Sequence, residues 1–441
     1  MQFSAHLEKG AWGFATKLLP AVYGVVMTIL VFKILPKNES GELALFINIF
    51  GMIFTFADSF ALQAIVKFGV DKANDLQELL TATSILFFVF LSISLSLFIV
   101  FPDFISSLLK SSELPSLIPS LIILVIVTIP RVITSKIFQM RFHTQQLFFV
   151  DLVNFGGSSI VVTIYAFTNR LHSASDVIGV TIVAGACSSF VSLILARADI
   201  SWRLKFSRSM LKKIFHFTRY QTATGTVHVL QQNLDTLLVP AFLGIEALAN
   251  YQVAKFFFKG FDVLRDTQSI FVFPASSKYH GTGDFETLKK IIEKATSFLY
   301  LFMIPLCILL IIFAPLLFQI LYKGKFDDSI IIFRILIASG FILPMTMVGM
   351  SSLVGMGKVK EVFQTILASL IVNIILAVIL LPLIGTIGAA IAFCISMLLQ
   401  AIQAYRIMKR EVPLSLSAMF IRGIEDGKNF LKGRKRLKHD S

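Results

Sequence analysis

Apolar runs long enough to cross a bilayer follow one another along almost the whole of this 441-residue chain, and no other feature limits its fold as much. A crossing helix needs about 20 apolar residues. Backbone inside lipid must satisfy its own hydrogen bonds, which leaves only helices or a closed barrel. The runs are continuous rather than alternating, so they read as helices. Twelve are expected, over residues 12–34, 42–66, 79–101, 115–133, 148–168, 176–196, 214–241, 248–274, 295–321, 329–354, 361–382 and 386–406. Composition agrees, with 56% hydrophobic and 15% charged residues, against about 45–50% and 25% in a soluble domain. Twelve crossings leave about 15 residues per connection, too few for a separate soluble domain. The run Trp12 to Ile34 is too long for a signal-peptide core and reads as a retained first helix.

The formal charge of +14 is distributed by topology. The even-numbered connections hold about sixteen Lys and Arg, with Lys136 and Arg141 in the fourth and Arg197 to Lys213 in the sixth. The odd ones hold only Lys37, Lys110, Arg170, Lys323 and Lys325. The positive-inside rule therefore predicts cytoplasmic N- and C-termini, and no nucleic-acid face is expected. The tail from Pro413 to Lys438 mixes Leu414, Leu416, Met419 and Phe420 with the basic cluster Lys432, Arg434, Lys435, Arg436 and Lys438. It reads either as a helix lying on anionic lipid or as a solvated positive-inside tail.

Enzyme chemistry finds no support. Cys187, Cys307 and Cys394 lie inside apolar runs without ligand spacing, which argues against a disulfide framework or a zinc site. Walker, nucleophile-elbow, HExxH and dinucleotide motifs are missing from the sequence. A carrier without a cofactor is the expected class.

The chain matches itself at an offset of about 208. Thr28, Leu30, Val31, Leu35, Phe50 and Asp58 fall on Thr236, Leu238, Val239, Leu243, Phe258 and Asp266; with one residue inserted, Asp75 and Leu79 fall on Asp284 and Leu288, and Ile178-Gly179 on Ile387-Gly388. Six helices per half is an even number, so both halves enter the membrane from the same side, as in carriers whose repeats are related by an axis along the membrane normal. The expected organisation is an N-terminal bundle over 1–200, a basic cytoplasmic linker over 201–213, a C-terminal bundle over 214–410 and the tail over 411–441.

Charges inside the apolar runs are informative, because each costs roughly 2.5–3.5 kcal/mol at the bilayer centre. Lys255, Lys259, Asp262 and Asp266 in the eighth run are spaced four, three and four, which on one continuous helix puts them in a single stripe. In the seventh run Gln221, Thr224, His228, Gln231, Gln232 and Asp235 share a face, and Lys17 and Asp58 add charges from the first half. Two readings stay open. The eighth-run charges form a structural ion network, or Lys17, Lys255, Lys259 and Arg265 hold an anionic head group while Asp58, Asp235 and Asp266 exchange a coupling H+ or Na+. His228 and Asp262 are further polar candidates. Lys33, Arg131 and Arg334 are expected to snorkel, and Pro20 to kink the first helix.

Three stretches carry a family resemblance: ILVFKILPKNESGELALFINIF, with Pro36 and Gly41; LDTLLVPAFLGIEALANYQVAKFF followed by FPASSKYHGTGDFETLKK, with Pro274, Gly283 and Asp284; and SSLVGMGKVKEVFQTILASLIVNIILAVILLPLIGTIGAAIAF, with Gly357-Lys358, Asn373, Pro382, Gly385 and Gly388. Over nearly its whole length the chain resembles the polysaccharide branch of the multidrug/oligosaccharidyl-lipid/polysaccharide exporter superfamily, which contains the Wzx-type O-antigen flippases. It departs from that pattern at Asp58-Ser59-Phe60 and at Ala249, which stands where the repeat partner is Gly41. The resemblance implies an all-α polytopic protein of MATE-like fold, two six-helix bundles related by a pseudo-twofold axis. It further implies a bacterial inner-membrane flippase for an undecaprenyl-diphosphate-linked glycan, working by alternating access beside membrane lipid, a polysaccharide polymerase and glycosyltransferases. A basic cavity is carried over onto Lys17, Lys255 and Lys259. A multidrug antiporter of the same superfamily and a non-transporting scaffold are the rival expectations.

Overall fold

A computed structural model describes residues 2–71, 75–197 and 204–420, and among these every regular element is a helix. They gather in two compact units, Met1–Gln252 and Val253–Ser441.

In the first unit, α1 (Gln2–Val25) contains Pro20 and runs through a π-helical turn at Val26–Val31 to Ile34. Helix α2 (Lys37–Ala57) passes a second such turn at Asp58–Leu62 and ends at Phe68. Then come α3 (Leu76–Val100), the short α4 (Pro102–Leu109) and α5 (Leu114–Met140). Helix α6 (Thr144–Asp151) leads through a third π turn, Leu152–Gly156, into α7 (Gly157–Phe167). Helices α8 (Ala174–Ala196), α9 (Arg208–Leu243) and the start of α10 (Ile245–Lys259) complete the unit. The second unit takes the rest of α10 with α11 (Asp262–Gly281), α12 (Phe285–Ile312), α13 (Ala314–Tyr322), α14 (Ser329–Ala338), α15 (Leu343–Gly355), α16 (Val359–Ile384) and α17 (Thr386–Glu411).

Nine described helices are long and apolar enough to cross a membrane, and α14 with α15, bent by 49°, makes a tenth. The expected seventh and eighth crossings are the helical but more polar α9 and the divided pair α10 and α11. The division at 214 read from sequence falls ahead of the contact division at Gln252, because α9 packs on α2, α3 and the Asp58–Leu62 turn.

Helix starts follow their capping chemistry. The Asp75 carboxylate accepts the N–H groups of Gln77 at 2.9 Å and Glu78 at 3.4 Å, and Asp284 accepts that of Thr287 at 3.0 Å. Each satisfies donors that the first helical turn leaves open. The repeat extends beyond these two residues. Leu79 and Leu288 are fully buried one turn later, both long helices stop at a phenylalanine (Phe101, Phe313), both continue as a short helix with proline in its first turn, and both short helices end on a left-handed lysine, Lys110 at φ 48° and Lys323 at φ 52°.

Interior contacts are close and small-sided, as expected where lipid is as apolar as the core. Ser189 Oγ on α8 donates to the Val127 carbonyl on α5, Ser369 Oγ on α16 donates to the Ser396 carbonyl on α17 at 2.6 Å, and Gly388 lies against the Leu380 backbone. Other large apolar groups face outward, Phe167 at 80% exposure and Leu383 at 72%, a surface suited to lipid.

Of the linker, residues 204–207 are described and belong to the first unit. Lys205 places its ammonium 2.5 Å from Asp75 and 3.2 Å from Glu78, and its N–H donates to Thr81 Oγ1 at 3.2 Å. The Lys205 hydrogen bond, aided by the Gln77 N–H, holds the Asp75 carboxyl below the usual carboxylate range, and Asp75 in turn raises the lysine. At the other end of the chain, Ser415 precedes a helix starting at Leu416; Leu414 and Met419 are buried in the second unit, and Phe420 stacks on Tyr300 at 4.3 Å. The basic cluster Lys432 to Lys438 lies outside the described residues.

Candidate functional site

Helix α5 carries two basic residues, Arg131 and Lys136, toward two carboxylates of the first unit. Five residues along a helix is about 140° of rotation, so the two side chains reach different neighbours. Lys136 meets Asp58 at 2.7 Å, and Gln63 Nε2 donates to the other Asp58 oxygen at 2.5 Å. Asp58 and Gln63 bracket the π turn of the second crossing, where the surplus residue brings Asp58 and Gln63, five apart, into contact. Helix α9 crosses that turn closely: Thr222 Oγ1 donates to the Ser59 carbonyl at 3.4 Å, and any Cβ on Gly225 would collide with the Ser59 side chain.

Arg131 meets Asp151 at 3.6 Å, and its guanidinium lies 5.2 Å from the Phe155 ring centre, inside the third π turn. The Tyr23 ring packs on Phe155 at 5.5 Å, and Ser188 Oγ, which donates to the Gly185 carbonyl at 3.0 Å, lies 3.4 Å from Asn154 Oδ1. Arg131 and Asp151 are each about five-sixths buried (16% and 15% side-chain exposure), and the Arg131 Nε and Nη1 groups make no hydrogen bond. A guanidinium is a fixed positive charge, and here one carboxylate and one ring face meet it.

These pairs correct two expectations. Arg131 does not snorkel: it lies within α5, nine residues before its last residue Met140, and is held by Asp151. Lys136 is not in a connection, because α5 continues past residue 133 to Met140. Both, with Asp151, are site residues that the sequence analysis missed. The available signal was an aspartate and an arginine inside apolar runs. Arg334, also expected near a span end, donates from Nε to the Ile311 carbonyl at 3.2 Å.

In the second unit the eighth run is not one helix. Gly260 and Phe261 close turns on the Phe257 and Phe258 carbonyls at 3.1 and 3.0 Å, ending α10 and starting α11. The stripe expected of Lys255, Lys259, Asp262 and Asp266 is therefore interrupted. Lys255 is buried at 5% exposure, whereas Lys259 is exposed at the end of α10. On α11, Arg265 pairs with Asp262 at 2.9 Å and lies 3.7 Å from Asp266. Gln268 ties the next turn to α15, donating to the Met347 carbonyl at 3.0 Å and to Ser351 at 2.9 Å.

The other predicted residues lie on α1 and α9. Lys17 is on the exposed side of α1 in the first unit. On α9, Asp235 is buried and its Oδ1 accepts the Thr236 N–H at 2.9 Å, while exposed His228 shares a hydrogen bond with Gln232 at 3.1 Å. The side chains of Gln221 and Thr224 lie outside those described. The three cysteines are free, and among the described residues no group of His, Cys, Asp and Glu has the arrangement of a metal site.

A family model described as polysaccharide biosynthesis protein matches residues 32–331. The chain is 22% identical over 244 residues to a Shigella flexneri protein that carries the name O-antigen transporter, covering 55% of this chain and 57% of that one. The curated relatives that the chain matches are covered over 37% and 57% of their own lengths. Among solved structures, the lipid II flippase MurJ in an inward closed conformation superposes with a TM-score of 0.75 at 15% identity, over 94% of this chain and 90% of that one. An inward-facing multidrug resistance MATE transporter of the MOP superfamily superposes with a TM-score of 0.73 at 14% identity, over 92% and 98%. The fold is that of the MATE and MurJ transporters, in a multi-pass membrane protein.

Proposed function

The chain belongs to the polysaccharide biosynthesis protein family, a family of membrane transporters, and on that premise we propose that it flips a lipid-linked oligosaccharide. The cargo of this reading is an undecaprenyl-diphosphate-linked glycan, carried from the cytoplasmic to the outer leaflet of a bacterial inner membrane by alternating access, with both termini cytoplasmic. The observation that carries the reading is Arg131, a guanidinium enclosed among helices whose Nε makes no hydrogen bond and whose Nη1 meets Asp151 only at ion-pair distance. A diphosphate needs fixed positive charge and matched donors wherever it leaves water. Buried Lys255 adds a second cation in the other unit, with Lys17 and Lys259 as further contributors. Arg265, ion-paired with Asp262 as Arg131 is with Asp151, is a further contributor. In the same reading Asp58, Asp235 and Asp266 couple transport to an inward H+ or Na+ gradient.

Purified protein in liposomes, given a fluorescent undecaprenyl-diphosphate oligosaccharide on one leaflet, tests this. Transfer to the other leaflet is expected in the wild-type protein, with a loss of more than tenfold in Arg131→Gln and in Lys255→Ala/Lys259→Ala at unchanged expression. Transfer that survives both changes ends the head-group assignment. The MATE likeness supplies one rival, a drug antiporter. It predicts instead drug resistance in a pump-deficient host with no flipping of the labelled glycolipid.

A further inference from the structure

We propose that Glu42, with Glu39 and Glu113 beside it, forms a proton-binding site at one end of the first unit, the buried Glu42 carboxyl holding a proton at neutral pH. Glu42 on α2 is 1% exposed. Its Oε2 accepts a 2.5 Å hydrogen bond from Ser111 Oγ in the α4–α5 turn, and its Oε1 has no hydrogen-bond partner. An ionised carboxylate offers about four acceptor positions, and burying one with so few filled is costly. A proton on Glu42 removes that cost.

Neighbouring glutamates add negative charge beside Glu42. Glu113 stands at the start of α5, and the charge of Glu39 acts on its carboxyl. Glu39 Oε2 in turn accepts the Ala174 N–H at the start of α8 at 2.6 Å. Burial first, and the neighbouring Glu39 second, raise the proton affinity of Glu113 above the usual carboxylate range.

The remaining charged groups near this junction are accounted for element by element. Lys37 opens α2. Lys110, in the α4–α5 turn, spends its ammonium on the Phe242 carbonyl at the end of α9, 2.6 Å away. At the α8 start, Asp176 is occupied by the His172 and Ser173 N–H groups, each at 2.9 Å. Glu246 follows Ile245, the residue of α10 that abuts Gly41, and is exposed. The charges that act on Glu42 and Glu113 are those of the other glutamates.

The site joins α2, the α4–α5 turn and, through Glu39, the start of α8. A raised carboxyl favours the folded state most at low pH, and that contribution declines as pH climbs from the ordinary carboxylate range through the raised value. Loss of the proton leaves three like charges that push these segments apart.

Infrared difference spectroscopy reads the proton directly and without reference to cargo. At pH 7 the wild-type protein should show a protonated-carboxyl C=O band that moves in D2O and vanishes on alkaline titration. A loss of that band in Glu42→Gln or in Glu113→Gln assigns the proton to this cluster. The half-buried Glu113 position keeps the test available if Glu42→Gln does not fold. Spectra in which wild type and both variants share the same protonated-carboxyl intensity would overturn the proposal. So would carboxylate bands that belong to these glutamates and shift on adding calcium, which would make the cluster a cation site.

Discussion

Lys136 of α5 places its ammonium 2.7 Å from Asp58, the first residue of the π turn that interrupts the second crossing. Five-sixths of each side chain or nearly so is withdrawn from solvent, with 13% and 21% left exposed. Removing one partner strands the other. Asp58→Asn is expected to destabilise the protein toward the lower end of the ~3–5 kcal/mol typical of broken buried pairs. Asp58→Asn combined with Lys136→Met should recover most of that loss. Denaturant unfolding in detergent, run as a double-mutant cycle, measures it; additive single effects would show that the pair does not interact.

The close crossing of α9 over Ser59 depends on a missing side chain. Gly225→Ala should cost about 1–3 kcal/mol, the usual penalty of overpacking, because its new methyl meets the Ser59 hydroxyl and Cβ. Ser59→Gly should suppress the defect, and melting temperatures of the single and double variants report it.

The Lys205 clasp on α3 should respond to pH from both sides. Asp75, whose carboxyl is held low, contributes above the usual carboxylate range and stops contributing as pH falls through its lowered value. Lys205, held high, contributes below the usual lysine range and stops as pH rises through its raised value. A spin label at Leu204→Cys in a cysteine-free background should therefore be restrained across neutral pH and released at both extremes. Lys205→Gln should release it at neutral pH, and so should high salt.

Glu293 is fully buried in α12, and its Oε1 accepts the Ser415 N–H at 2.9 Å, fastening the segment after α17. Glu293→Ala should speed exchange of the Ser415 amide hydrogen by at least tenfold, equivalent to about 1.4 kcal/mol of the ~1–3 kcal/mol that a lost buried hydrogen bond costs. Hydrogen-exchange mass spectrometry over residues 412–420 gives the readout.

Much of this architecture can be read without coordinates, because hydropathy and capping are local. The apolar runs become helices, and Asp75 and Asp284, aligned by the internal repeat, cap equivalent helices. Gly41, part of the family-like first hairpin, lies against Ile245, where a side chain would collide with backbone. The polar interior was less legible, since pairing across helices leaves no periodic trace. Lys136 finds Asp58 and Arg131 finds Asp151 only through the packing of α5. The break at Gly260 and Phe261 was hidden for a related reason: Phe261 keeps near-helical dihedrals in a turn, so the spacing of Lys255 to Asp266 looks continuous when it is not.

The left-handed lysines that end α4 and α13 make the two halves of the chain mutual references. Replacing Lys110 or Lys323 by glycine relieves the same backbone conformation in both places, but only Lys110 also tethers the end of α9 through Phe242. Any difference between the two substitutions isolates that tether. Two segments built alike in this way offer a matched comparison for each structural device that one has and the other lacks.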